Sequence, residues 1–148
     1  MKKIKLSENL ELSQVVMGCM RIADSNLTEN ELLDLVEKCL DMGVTSIDHA
    51  PVYGGYTCEK IFGDAVLRKR PELRDKMQLI TKAGIVCPGH YGNKTIYYKS
   101  TKEEILKEMD ESLEKLGTDH VDLLLIHRPD PLADPAETAD ALETVEKP

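Results

Sequence analysis

Apolar positions along the chain alternate between short uninterrupted runs and longer stretches at helical spacing. After a hairpin-like stretch from Ile4 to Leu12, Val15-Val16-Met17-Gly18 reads as a first strand. Thr28-x-x-Glu31 then forms a capping box. Leu32, Leu33, Val36, Cys39 and Leu40 fall on one helical face, and Gly43 stands where the helix should stop. The same unit recurs. Ser46 to Ala50 is strand-like, and Glu59 to Arg70 reads as a helix ended by Pro71. Met77 to Lys82 is a third strand. Its helix comes after a long loop, starts at Thr101-x-x-Glu104, buries Ile105, Met109, Leu113 and Leu116, and stops at Gly117. Val121 to Ile126 is a fourth strand. Asp134-Pro135-x-Glu137 then opens a fourth helix, with proline in the first helical position, where its missing N–H does no harm.

Four strand–helix units in succession imply parallel strands joined by right-handed crossovers. Two architectures qualify, a doubly wound sheet and a (β/α) barrel. A nucleotide-binding doubly wound sheet usually carries Gly-x-Gly-x-x-Gly after its first strand, and here that position reads Gly18-Cys19-Met20-Arg21. The barrel is therefore favoured: an α/β fold of the (β/α)8 TIM-barrel type. Eight units take about 250 residues, whereas this chain has 148. The expectation is one domain, residues 1–148, holding about the first four βα units, the N-terminal half of a barrel.

Composition narrows the partners. Twenty-seven acids against nineteen bases give a net charge of -8, which repels a polyphosphate backbone, so nucleic acid is not expected. No apolar run approaches the roughly 20 residues that span a bilayer, so a membrane location is not expected either. The cysteines at 19, 39, 58 and 87 are too dispersed for a Cys-x-x-Cys pair. They read as free thiols in a cytoplasmic protein without a metal site.

Side chains alternate between the two faces of a strand, so His127 shares a face with Leu123 and Leu125 and sits at the C-terminal rim of the fourth strand. The same count puts Lys82 at the rim of the third and Asp48 near the rim of the second, with Tyr53 in the loop just beyond. Barrels keep their active sites on that face. The four groups suit one another chemically. A phenol is a poor acid at neutral pH, but an ammonium about 4 Å away favours the phenolate by about 4 kcal/mol at an effective dielectric of ~20. Asp48 would keep Lys82 charged and aimed, and His127 could polarise a carbonyl oxygen.

With these residues in place, the chain resembles the aldo/keto reductase family. Ile47-Asp48-His49-Ala50-Pro51-Val52-Tyr53-Gly54 is similar to that family's Asp-x-Ala-x-x-Tyr-Gly segment. Ile80-Thr81-Lys82 is similar to its third-strand lysine, and Asp122-Leu123-Leu124-Leu125-Ile126-His127 to its fourth-strand histidine. The run His127-Arg128-Pro129-Asp130-Pro131-Leu132, and His49 where many relatives have Thr, resemble a bacterial oxidoreductase branch. The resemblance implies Tyr53 as general acid, Lys82 and Asp48 as its tuning pair, and His127 as carbonyl orienter. It also implies NADP(H) as cofactor, with Gly18, Met20 and Asp48 on the nicotinamide side, and a small carbonyl compound as substrate. In the family, the groups that grip the cofactor's phosphates and adenine come mostly from units five to eight. NADP(H) is therefore expected to be weakly held or absent in this truncated chain. Unpaired barrel edges imply self-association.

Other readings stand beside these. Asp48 and Lys82 would also make a structural ion pair, and His127 alone would read as a buried histidine. Lys82 at a strand end also suits a Schiff-base lyase. A half-barrel without turnover would serve as a cofactor-sensing subunit. Arg128 either meets a substrate carboxylate or pairs with Asp130. The loop from Ile85 to Lys99 either selects substrates at the mouth or is a solvated, mobile segment. Lys102, Glu103, Lys107 and Glu111 read as a solvated helix face with i,i+4 pairs.

Overall fold

A computed structural model of the chain describes residues 1–146. Strands β1 (Lys3–Lys5) and β2 (Glu11–Ser13) form the expected antiparallel hairpin, with Ile4 opposite Leu12. Then come β3 (Val16–Gly18), α1 (Glu29–Asp41), β4 (Ser46–Asp48) and α2 (Cys58–Phe62), which continues as a wider π-helical turn over Gly63–Leu67. Next are β5 (Gln78–Ala83), a small hairpin of β6 (Ile85–Val86) and β7 (Tyr97–Tyr98), α3 (Lys102–Leu116), β8 (Leu123–Ile126) and α4 (Pro135–Glu146).

The main sheet is parallel, with its four strands in the order β3-β4-β5-β8. Each new strand is added beside the last, with no reversal, as in a barrel. A doubly wound sheet would reverse direction and place later strands on the other side of the first. Register then decides what faces where. Gly18 pairs with Asp48, Asp48 with Ile80, and Lys82 with Leu125. Alternation puts Met17, Ile47, Leu79, Thr81, Ala83, Leu124 and Ile126 toward the helices, and Val16, Asp48, Ile80, Lys82, Leu123 and Leu125 on the opposite face.

The helix side is the core. Leu32 and Val36 of α1, Ile47, Leu79, Phe62, Val66, Met77 and Leu116 pack into one buried cluster, and Ala83, Ile105 and Ala141 into a second that Leu124 and Ile126 join. On the other face Val16 and Leu125 are each 40% exposed. That residual exposure of aliphatic side chains marks the interior of an unclosed barrel.

The helix starts are built largely as the sequence predicts. At α1 the Thr28 hydroxyl accepts from the Glu31 N–H while the Glu31 carboxylate accepts from the Thr28 N–H, completing the capping box. At α3 only half of the box forms, because Glu104 is drawn into an ion pair with Lys99 at 2.7 Å. Asp134 accepts the Ala136 N–H at the start of α4. Two expectations about α3 need correction. Leu113 is only partly buried, and the helix's charges are not simply solvated. Lys107 lies 3.4 Å over the Tyr91 ring and Lys102 pairs with Asp140 of α4, while the i,i+4 pair that forms is Lys115 with Glu111.

Candidate active site

Asp48 ends β4 and Lys82 is the penultimate residue of β5; both lie on the non-helical face, so their side chains meet above adjacent strands. The Lys82 Nζ is 2.7 Å from Asp48 Oδ1, 2.7 Å from the His49 carbonyl and 3.0 Å from the Tyr53 hydroxyl. Three acceptors for three N–H bonds keep the ammonium satisfied where only 11% of its side chain is exposed. Tyr53 closes the set, its hydroxyl donating to Asp48 Oδ2 at 3.3 Å.

Tyr53 reaches this position through a tight loop. Its N–H donates to the Ala50 carbonyl, and its own carbonyl accepts the N–H groups of Thr57 and Cys58 at the threshold of α2. Gly54 follows at φ +56°, where a Cβ would come within 2.6 Å of the Cys58 sulfur and 2.8 Å of Ala23 Cβ. Only glycine lets the chain turn there with Tyr53 facing the sheet.

His127 follows β8 directly, its N–H donating to the Ala83 carbonyl at 2.8 Å. Its ring meets Tyr53 edge to face, with centroids 5.9 Å apart and planes at 82°. Burial pushes the imidazole below its usual value, and the nearby Lys82 and Arg128 cations push it further. It is therefore a neutral hydrogen-bond donor at pH 7. The structure brings together all four residues singled out as a proton-handling set.

The proposed cofactor-facing residues lie beside them. Gly18 is opposite Asp48 in register, the Cys19 N–H donates to the Asp48 carbonyl, and a Cβ on Gly18 would meet nothing within 4 Å. Met20 is 50% exposed. Cys19 is fully buried with its thiol pushed up by burial, an inert group. Arg128 is exposed, and Asp130 accepts from the Leu132 N–H instead of pairing with it.

Some contributors escaped the sequence reading. The His49 carbonyl is one, a main-chain group without a residue signature. The loop after β5 is neither free nor simply solvated. His90 stacks on Tyr56 with centroids 3.7 Å apart, and the Tyr91 hydroxyl donates to Glu111 of α3. Behind β5, Glu59 is buried and accepts from Thr81 and Ser112, and Glu108 is buried against Gly84. The sequence signal for the last group was the stripe Glu104, Glu108, Ser112 at four-residue spacing, beside the apolar face of α3.

Comparison with known proteins agrees with the fold. The model of the aldo/keto reductase family matches residues 14–147. The chain is 46% identical over 147 residues to the uncharacterized oxidoreductase YcsN of Bacillus subtilis, covering 98% of this chain and 49% of that protein. It is 45% identical over 148 residues to a 6-dehydroglucose reductase of Agrobacterium fabrum, covering 98% and 50%. The aldo-keto reductase AKR11C1 from Bacillus halodurans, solved in a holo form, superposes with a TM-score of 0.79 at 28% identity, covering 97% of this chain and 46% of that one. The chain belongs to the aldo/keto reductase family. It corresponds to the N-terminal half of that barrel, spanning about half the length of the curated relatives it matches.

Proposed function

We propose that this chain carries the proton-donating half of an NADP(H)-dependent oxidoreductase that reduces a carbonyl, whether aldehyde, ketone or sugar, to an alcohol. The observation that carries the reading is the Lys82 ammonium held between the Asp48 carboxylate at 2.7 Å and the Tyr53 hydroxyl at 3.0 Å. Tyr53 gives its proton to the carbonyl oxygen as general acid, and Lys82, steadied by Asp48, stabilises the phenolate left behind. Neutral His127 donates a hydrogen bond to the same oxygen and orients it. A nicotinamide supplies the hydride when bound. The open surface at Gly18 and Met20 beside Asp48 suits a flat ring, and these three residues would line its site. The name of the Agrobacterium relative, a 6-dehydroglucose reductase, supports a sugar carbonyl among the substrates.

NADP(H) is weakly held or absent in this chain by itself, because the family's phosphate and adenine contacts lie mostly in the units that follow. Among the described residues the outer edges of β3 and β8 are unpaired, and such edges favour pairing with further strands, in this chain by itself those of a second copy. Two other readings are weaker. All three Lys82 N–H bonds are engaged, so the residue presents an ammonium and not the free amine that Schiff-base chemistry needs. A cofactor-sensing half-barrel would bind NADPH without reducing anything. The test is calorimetric titration with NADPH, followed by NADPH consumption across a carbonyl panel. Binding with turnover supports the reductase, while binding without any turnover across the panel supports the sensor and overturns the reductase reading for this chain.

A further inference from the structure

One peptide group links the third and fourth strands of the sheet at the mouth. The Ala83 carbonyl accepts the His127 N–H at 2.8 Å, and the Gly84 N–H of the same peptide unit donates to Glu108 Oε2 at 2.6 Å. Glu108 comes from the middle of α3 and is only 2% exposed. Gly84 has φ +102°, and a Cβ there would come within 2.9 Å of Ser100 Oγ, so the turn leaving β5 is both unusual and tightly enclosed. Glu108 lies in a buried patch of polar groups between α3 and the sheet, with Glu59, Ser100, Glu104 and Ser112, and a carboxylate sealed from water there costs several kcal/mol unless something holds it. Here it takes one strong hydrogen bond from the main chain immediately after Lys82 and Ala83. Its second oxygen, Ser100 Oγ and Glu104 Oε1 are buried without a hydrogen-bonding partner among the described residues.

We propose that Glu108 is a positioning residue of the reductive site. Its carboxylate clamps the Ala83–Gly84 peptide plane, and through the Ala83 carbonyl it sets the backbone of His127 and the end of the strand that carries Lys82. The proposal rests on reading Lys82 and His127 as parts of that site. Glu108 itself touches neither substrate nor cofactor. An ionised carboxylate accepts the Gly84 N–H more strongly than a carboxylic acid does, so the clamp tightens as Glu108 loses its proton. The ionisable groups around it are Glu59 of α2, Glu104 and Glu111 of α3, and the phenols of Tyr56 and Tyr91 from the two loops; Lys99 is engaged by Glu104. Burial, with those neighbouring acids, raises Glu108 to about 7. The clamp therefore strengthens on passing from mildly acid to mildly alkaline pH.

The experiment is amide NMR of the whole chain across that range, a readout independent of turnover and so separable from failure of the reductase reading. The Gly84 and His127 amide resonances should titrate together with a midpoint near 7. Glu108→Gln keeps shape and acceptor, and it should abolish that titration. Glu108→Leu removes the acceptor; Gly84 exchange should quicken about ten- to a hundredfold, and the His127 resonance should shift while the amides of α1 stay in place. Persistence of the shared titration in Glu108→Gln overturns the proposal, as does unchanged Gly84 exchange in a folded Glu108→Leu. If Glu108→Leu does not fold, the isosteric Gln variant alone decides.

Discussion

The Lys82 ammonium stands 3.0 Å from the Tyr53 hydroxyl and 4.8 Å from the centre of its ring, so the cation meets the phenol at the oxygen and not across the face. This geometry steadies a phenolate. Where turnover is present, Tyr53→Phe should lower it by about 10²–10⁴-fold and leave unfolding stability within about 1 kcal/mol. Lys82→Met should lower turnover comparably and also destabilise by about 1–3 kcal/mol, since it strips a cation from three acceptors. NADPH absorbance and urea unfolding of both variants give the two readings. Undiminished turnover in Tyr53→Phe sinks the general-acid assignment.

His127 should titrate below 6.5, because burial and then the Lys82 and Arg128 cations all oppose its protonation. Histidine ring resonances followed against pH will show the midpoint. In Lys82→Met it should move upward, as one of the opposing charges is gone. A midpoint that stays put in that variant would mean the two groups are not coupled.

His49 is completely buried against Phe62, with both ring nitrogens lacking a partner among the described residues and its value pushed down to about 3 by burial and by Lys82. The folded value lies below the unfolded one of about 6.5. The neutral form's stability is thus intact above 6.5 and lost as pH falls toward 3, by up to about 1.4 kcal/mol per unit. Glu108, raised to about 7, acts oppositely between about 4.5 and 7, favouring the fold at the acid end of that window. The two contributions therefore offset each other from about 4.5 to 6.5, and below that the His49 contribution falls unopposed. His49→Leu should soften the acid fall, and urea midpoints measured from pH 3 to 7 would reveal an unsoftened one.

Asp122 fastens β8 to β5 before the ladder begins. Its Oδ2 accepts the Leu79 N–H and the Arg74 guanidinium, each at 2.8 Å, with Arg74 only 11% exposed. Asp122→Ala should cost about 2–4 kcal/mol, because it orphans the Leu79 main-chain donor and takes the counter-charge from the largely buried Arg74, leaving that cation only its neutral acceptors Thr118, Met77 and His120. A loss below 1 kcal/mol in chemical denaturation would contradict this.

Among the described residues the β3 and β8 edges are unpaired, and the non-helical face carries half-exposed Val16 and Leu125. Light scattering should therefore report a species larger than a monomer, and Val16→Lys with Leu125→Lys should shift it toward the monomer. A clean monomer that also consumes NADPH with a carbonyl substrate would exclude completion of the site by self-association.

Much of this was legible in the residues. Local periodicity, capping pairs and helix stops depend on neighbours within a turn or two, so the order of four βα units could be read directly. Strand alternation then put Asp48, Lys82 and His127 on one face. Sequence is less informative where partners are remote or lack side-chain signatures. The π-helical continuation of α2 and the docking of His90 on Tyr56 depend on contacts dozens of residues apart, and the half-formed box at Thr101 on Lys99 competing for the Glu104 carboxylate. The third acceptor of Lys82 is a main-chain carbonyl, and the clamp on Ala83–Gly84 belongs to a glutamate that in isolation looks like an ordinary surface charge. The chain's own pattern determined which chemical groups arrive at the mouth. Only the packing of helix against sheet decided the ångström-scale distances between them, because those distances are set by strand register and by which polar groups are sealed from water.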